Sequence, residues 1–188
     1  SPAGGNYLRS NDAIGEAMVT RVVPTGTFPG KTVNGPYTLK SADLQATFAH
    51  PTNPAMPPPT GTPTYEPAAG TKLNAGTHTI TASYPGDNNY APTTVAAIFV
   101  VNRTTPDIFW NPAPLRYGEA YGPGQRGAVA KVGDQTIPGT FTYTPAPGNI
   151  ATTVGTKELR VHFTPEDSAN YNAVLATRTI TIGRGLQT

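Results

Sequence analysis

The sequence predicts an all-β chain made of two tandem antiparallel β-sandwich domains, and three observations carry that prediction. The stretch AGTHTITASYPGDNNY (residues 75–90) recurs as VGTKELRVHFTPEDSANY (residues 154–171). Within the first copy His78, Ile80, Ala82 and Tyr84 alternate with Thr77, Thr79, Thr81 and Ser83, and Lys157, Leu159, Val161 and Phe163 take the same places in the second. A period of two sends one set to a core face and the threonines toward water. Finally, the chain holds 20 Gly and 21 Pro in 188 residues, placed between apolar and aromatic runs of strand length. That spacing belongs to a sandwich and not to a disordered chain.

Taken in order, residues 1–17 have no counterpart in the second copy. Their Gly pair and Ser-Asn-Asp cluster read as an extended leader, with at most a short helical turn over residues 13–17. The first domain is read as residues 18–102. MVTRVV, residues 18–23, is β-branched and strand-like until Pro24 ends it. Residues 25–36 read as a loop, with Phe28-Pro29-Gly30 and Asn34-Gly35-Pro36 as turn signals. Residues 37–48 hold either a second strand pair or a strand and a bend. Prolines dominate residues 52–64, so that backbone lacks donors and belongs at the surface. Residues 64–70 read as a further turn, followed by a strand over 77–84, the Asp87 loop and a last strand over 94–101.

Residues 103–105 form a short linker, within the run NRTT, which predicts a semi-rigid rod. The second domain is read as residues 106–183, restarting at Pro106, with residues 184–188 as a tail. DIFW (107–110) is placed opposite MVTRVV, and LRYGEAYGPG (115–124) opposite the Tyr37 region. PGTFTYTPAPG (138–148) aligns with TGTPTYEPAAG (60–70), and TRTITI (177–182) with residues 96–101.

Composition excludes several classes. A net charge of +2 with scattered Lys and Arg gives no basic stripe for phosphates, which argues against nucleic acid as a partner. The longest apolar run, residues 95–101, is far below the roughly 18 residues of a membrane-spanning helix. The absence of cysteine removes disulfides and thiolate metal sites. No secretory signal is recognisable, and an opening on Ser1 is expected of a mature or excised product.

The phrases AGTHTITASYPGDNNYAP, LRYGEAY, GTFTYTPAPG and VHFTPEDSANYNA resemble the bacterial Ig-like repeat family found in tandem arrays of secreted and surface-anchored proteins. The resemblance runs over residues 18–182. It implies two tandem Ig-like antiparallel β-sandwich domains and an extracellular or cell-surface location. Because such modules are widely used as spacers and binding scaffolds, it implies no particular ligand. The first copy departs from the pattern over residues 25–36 and in its proline-rich loop.

Candidate chemistry is sparse. His50, His78 and His162 are the only histidines; their wide spacing argues against a zinc or Ser-His-Asp site, and they read as separate core and surface residues. Asp87 with Asn88 and Asn89, and Glu166 with Asp167 and Asn170, offer oxygen ligands of the kind Ca²⁺ takes, but Asx-turn hydrogen bonding explains them more simply. The loop contacts singled out are Asp87, Asn89, Glu166 and Asp167. Trp110, Tyr117, Glu119 and Tyr121 suggest an aromatic platform for sugar rings, against which stands ordinary packing. The sequon Asn102-Arg103-Thr104 is idle in a bacterial product. No paired carboxylates, GxSxG or phosphate loop is present, so no catalytic residue, metal or cofactor is assigned.

The leader offers one further candidate. Ala13, Ile14, Met18, Val19 and Val22 would form a strand able to add to the sheet edge of a neighbouring molecule, giving a head-to-tail fibre. The expected function is a non-catalytic structural or adhesive module of an extracellular protein. The alternatives are a filament or surface-layer subunit joined by that strand, and a carbohydrate-binding accessory module of a secreted enzyme. Expected partners are neighbouring domains, further copies of the chain, or a surface glycan.

Overall fold

The computed structural model describes residues 20–185, and all their regular structure is strand apart from two single-turn 3-10 segments, Ser41–Asp43 and Pro123–Gln125. In chain order the strands up to residue 102 are β1 (Thr25–Thr27), β2 (Lys31–Asn34), β3 (Tyr37–Thr38), β4 (Thr47–Ala49), β5 (Thr64–Glu66), β6 (Lys72–Leu73), β7 (Gly76–Tyr84) and β8 (Thr93–Asn102). Those beyond are β9 (Asp107–Phe109), β10 (Leu115–Arg116), β11 (Val129–Val132), β12 (Gln135–Thr136), β13 (Gly139–Thr144), β14 (Gly155–Pro165) and β15 (Val174–Gly183).

The long hairpins organise each half. β7 pairs antiparallel with β8 along its whole length, and β14 pairs antiparallel with β15 from Gly155 to Phe163. The alternation written in the sequence fixes what they bury. Ile80, Ala82 and Tyr84 face inward from β7, and Leu159, Val161 and Phe163 from β14, each no more than 2% exposed. Burying side chains of this size stabilises by about 1.5–3 kcal/mol apiece for the larger ones. Thr77, Thr79, Thr156 and Thr164 remain on the outer face.

Both hairpins are extended identically. The strand order is β2-β8-β7-β5 in one four-stranded sheet and β10-β15-β14-β13 in the other, with β2 and β10 running parallel to the last strand of their half. Smaller sheets complete each half: β1-β4 and β3-β6 in the first, β12-β11-β9 in the second. Phe28, Leu39, Leu44 and Leu73 pack against Ile80 and Phe99 in one cluster. Trp110, Leu115 and Tyr121 pack against Val161 and Ile182 in a second, and Ile137 and Tyr171 close over Phe163 in a third. Among the described residues, no cluster draws on both halves.

Several sequence expectations are corrected. The strand expected over residues 18–23 is, in its described part, a single bridge from Val22 to Tyr90; its N–H and C=O are taken by Asn89 and Ala91, at 3.0 and 2.9 Å. Val23 is 59% exposed, and regular pairing begins only after Pro24. The expected loop over residues 25–36 therefore contains two strands, because β4 and β8 supply ladders to a segment whose own residues carry turn signals. Residues 64–66 likewise form β5 against β7 before the turn begins at Pro67.

The correspondence between the halves shifts accordingly. Asp107–Phe109 pairs with β11 as Thr25–Thr27 pairs with β4, so DIF stands opposite TGT and not opposite MVTRVV. Leu115–Arg116 takes the place of Val33–Asn34. The match to the Tyr37 region starts only at Ala120, which bridges Ile150 as Thr38 pairs with Lys72. Residues 37–48 contain two strands and a 3-10 turn, but β3 and β4 pair with other strands and not with each other.

Candidate functional site

Three sets of polar side chains hold the loops, and one of them joins the halves. In the first set Asp43, at the end of its 3-10 turn, accepts from the Lys40 N–H (2.9 Å) and the Tyr37 hydroxyl (2.7 Å) and is paired with Lys31. Burial works against its ionised form. The donors from Lys31, Tyr37 and the Lys40 backbone outweigh it and hold the carboxyl at about 2. Hydrogen bonding to Asp43 in turn raises both Lys31 and Tyr37. Gln125 fills the same place in the second half, accepting from the Gly122 N–H (2.9 Å) and donating to the Ala113 carbonyl (3.0 Å). A charged staple and a neutral one thus hold the same turn.

The second set is the turn after β7. Asp87 accepts from the backbone N–H groups of Thr60, Asn89 and Tyr90 at 2.8–2.9 Å and from the Thr60 hydroxyl at 3.1 Å. The Thr60 N–H leads the donors that hold its carboxyl well below the usual range. Gly86 makes the turn possible: its φ is +85, and a Cβ there would crowd the Tyr90 carbonyl and Pro92. The Tyr90 hydroxyl donates to the Pro57 carbonyl at 2.7 Å. The proline-rich loop is therefore tied down at both Thr60 and Pro57, although its residues are largely exposed.

The third set is the turn after β14. Asp167 accepts from the Asn170 N–H (3.1 Å) and side-chain amide (2.8 Å), which turns Asn170 toward the first half. There Asn170 accepts from the Ala75 N–H at 2.7 Å and donates to the Asn74 side chain at 3.2 Å, and it is only 4% exposed. Thr104, in the linker, exchanges backbone hydrogen bonds with Asn170 and Asn172 at 2.9 Å, and its hydroxyl donates to the Gly35 carbonyl. The connection is clamped on both sides. A polar group buried this deeply is retained only when its partners are in place.

The residues singled out from sequence are distributed differently from one site. Ala13, Ile14, Met18 and Val19 lie outside the described residues; Val22 is engaged with its own chain. Asp87 and Asp167 are turn acceptors, and the Asn89 side chain is exposed at the position that Asn170 occupies in the second half. Glu166 contributes its N–H to the Pro138 carbonyl at 3.0 Å. The aromatic platform is not assembled. Trp110 and Tyr121 are 6% and 5% exposed, Trp110 donating to the Gln125 carbonyl at 3.0 Å, whereas Tyr117 is 54% exposed. Glu119 accepts from the Arg116 N–H at 2.8 Å.

His78 contacts the Asn74 carbonyl at 2.8 Å, His50 accepts from the Thr52 and Asn53 N–H groups, and His162 is exposed. Among the described residues no three His, Asp or Glu side chains are grouped to hold a metal. Sequence reasoning missed Asn74, Thr104 and Gly35 as junction residues. The one available signal was the Asn before Tyr in both PGDNNY and PEDSANY. No protein-family model matches the chain, and no curated protein matches it in sequence.

Proposed function

We propose that the chain is a non-catalytic structural or adhesive element of an extracellular or cell-surface protein, in which two tandem Ig-like β-sandwich domains are held at a fixed angle. The observation that carries this reading is the buried Asn170, whose side chain bonds Asn74 and Ala75 across the junction. A flexible tether would not need such a group, and one left unpaired there costs about 1–3 kcal/mol. The identical strand order of the two halves and the low charged fraction, 13% against about 25% in ordinary soluble proteins, support the same reading. The resemblance of the repeated phrases to bacterial Ig-like modules supplies the extracellular setting.

The test is a distance distribution between spin labels, one on the exposed face of β7 and one on that of β14, by pulsed electron resonance. A single narrow distribution that broadens in Asn170→Ala supports a rigid spacer. A broad distribution in the unaltered chain overturns it.

A further inference from the structure

The two halves act as controls for each other: a surface feature present in only one of them is not required by the strand order they share. At the outer face of the small sheet in the first half, Thr27 and Thr47 pair across β1 and β4 with their hydroxyls 3.2 Å apart. The same pair in the second half is Phe109 and Val129, 57% and 36% exposed. The register of the long hairpins matches Arg178 to Ala97, since Arg178 lies opposite Leu159 as Ala97 lies opposite Ile80. Ala97 is buried, whereas Arg178 is exposed and reaches toward β9, its Nε donating to the Trp110 carbonyl at 3.2 Å and its Nη1 to the Thr177 carbonyl at 2.8 Å. Phe109, Val129, Arg126 and Arg178 line one open groove.

Leaving a phenyl ring in water forgoes the stabilisation of burying it, and nothing in the fold calls for it, because threonine serves in the first half. The surroundings of the ring are cationic. Lys131 stands over it with Nζ 5.7 Å from the centroid, and Arg126, Lys131 and Arg178 have no ion-pair partner among the described residues. Asp107 is the one acidic residue lining the groove. We propose that this face binds an acidic polysaccharide, a pyranose ring stacking on the groove side of Phe109, which Lys131 does not line, while its carboxylate meets Arg178 and Arg126. A flat aromatic face takes the C–H face of a sugar ring, and a guanidinium donates charge-assisted hydrogen bonds to a carboxylate; in Arg178, whose Nε and Nη1 hold backbone carbonyls, the remaining N–H groups serve. β9 is also an edge strand of its sheet, where an acidic peptide would find backbone partners, and the polyglutamate comparison below separates that occupant from a sugar stacked on Phe109. The inference is independent of the rigid junction.

The probe is an oligogalacturonate, followed by amide chemical shifts of the full chain, with a neutral dextran oligomer and polyglutamate of matched length as comparisons. The expected result is saturable shifts at residues 107–109 and 129–131, weakened at least about tenfold by the double variant Phe109→Thr, Val129→Thr and by Arg178→Gln, and weakened by added salt. The double variant restores the pair the first half already folds with, so its melting temperature should match that of the unaltered chain. No shifts at these residues, or equal binding of polyglutamate or of neutral dextran, would overturn the proposal.

Discussion

At the scale of single residues, the acidic side chains in the turns do structural work through their ionised forms. Asp43 is held at about 2, against its ordinary 3.8, by Lys31, Tyr37 and the Lys40 N–H acting against burial. A carboxyl lowered in the folded chain takes up its proton first in the unfolded chain. Its contribution is therefore complete above about 3.8 and is lost as pH falls toward about 2. Asp43→Asn is expected to lower the urea midpoint at pH 7 and to make little difference near pH 2; a gap that persists unchanged in acid would contradict this. Asp87 holds three backbone donors and the Thr60 hydroxyl at once. In Asp87→Ala, amide exchange at Thr60 and Tyr90 should quicken by about tenfold or more, the scale of one lost charge-assisted hydrogen bond, while amides of β14 remain protected.

At the scale of elements, the edge strands are positioned by close packing and not by their own propensity. Gly139 begins β13 against Phe163, and a Cβ there would overlap the Phe163 ring and the Thr164 carbonyl. Gly61 stands in the same relation to the Tyr84 ring, at 2.8 Å. Gly139→Ala is expected to destabilise the second half by about 1–3 kcal/mol through overpacking, read as a lower thermal midpoint. The equivalent change at exposed Gly148 finds nothing within 4 Å, so any cost there comes from its φ of +89. The short strands β1, β2 and β5 show why sequence reading stopped short of them. Each is three or four residues long and carries Gly, Pro or Asn within or beside it; β2 and β5 exist because β8 and β7 present free edges beside them, and β1 because the equally short β4 pairs with it. The nine to eleven residues of β7, β8, β14 and β15 were legible because their alternation is sustained.

At the scale of the whole molecule, separate cores joined by a polar junction predict separable responses to core mutation. Phe163→Ala removes a fully buried ring from the second half and should cost about 3–5 kcal/mol there. Trp110 is the only tryptophan in the chain and is buried in that half, so its fluorescence reports the second half alone. The fluorescence midpoint should fall in this variant, while the Ile80 and Phe99 methyl and ring resonances of the first half keep theirs. A common shift of both would mean that the halves fold as one unit.

The all-β character, the recurrence of the hairpin and the inward face of its strands follow from the sequence alone, because the period of two is local: successive side chains point to opposite faces whatever packs on them later. The sequence also marked the turns in which Asp87 and Asp167 act, since Asx hydrogen bonding spans only two or three residues. Tertiary structure alone decided that Asn170 would turn away from its own loop to bond Asn74 and Ala75, nearly a hundred positions earlier. It likewise decided that Trp110 would be buried and its neighbour Phe109 exposed. Those outcomes depend on which surfaces meet after the hairpins have formed, a long-range matter of packing and register that no local pattern encodes.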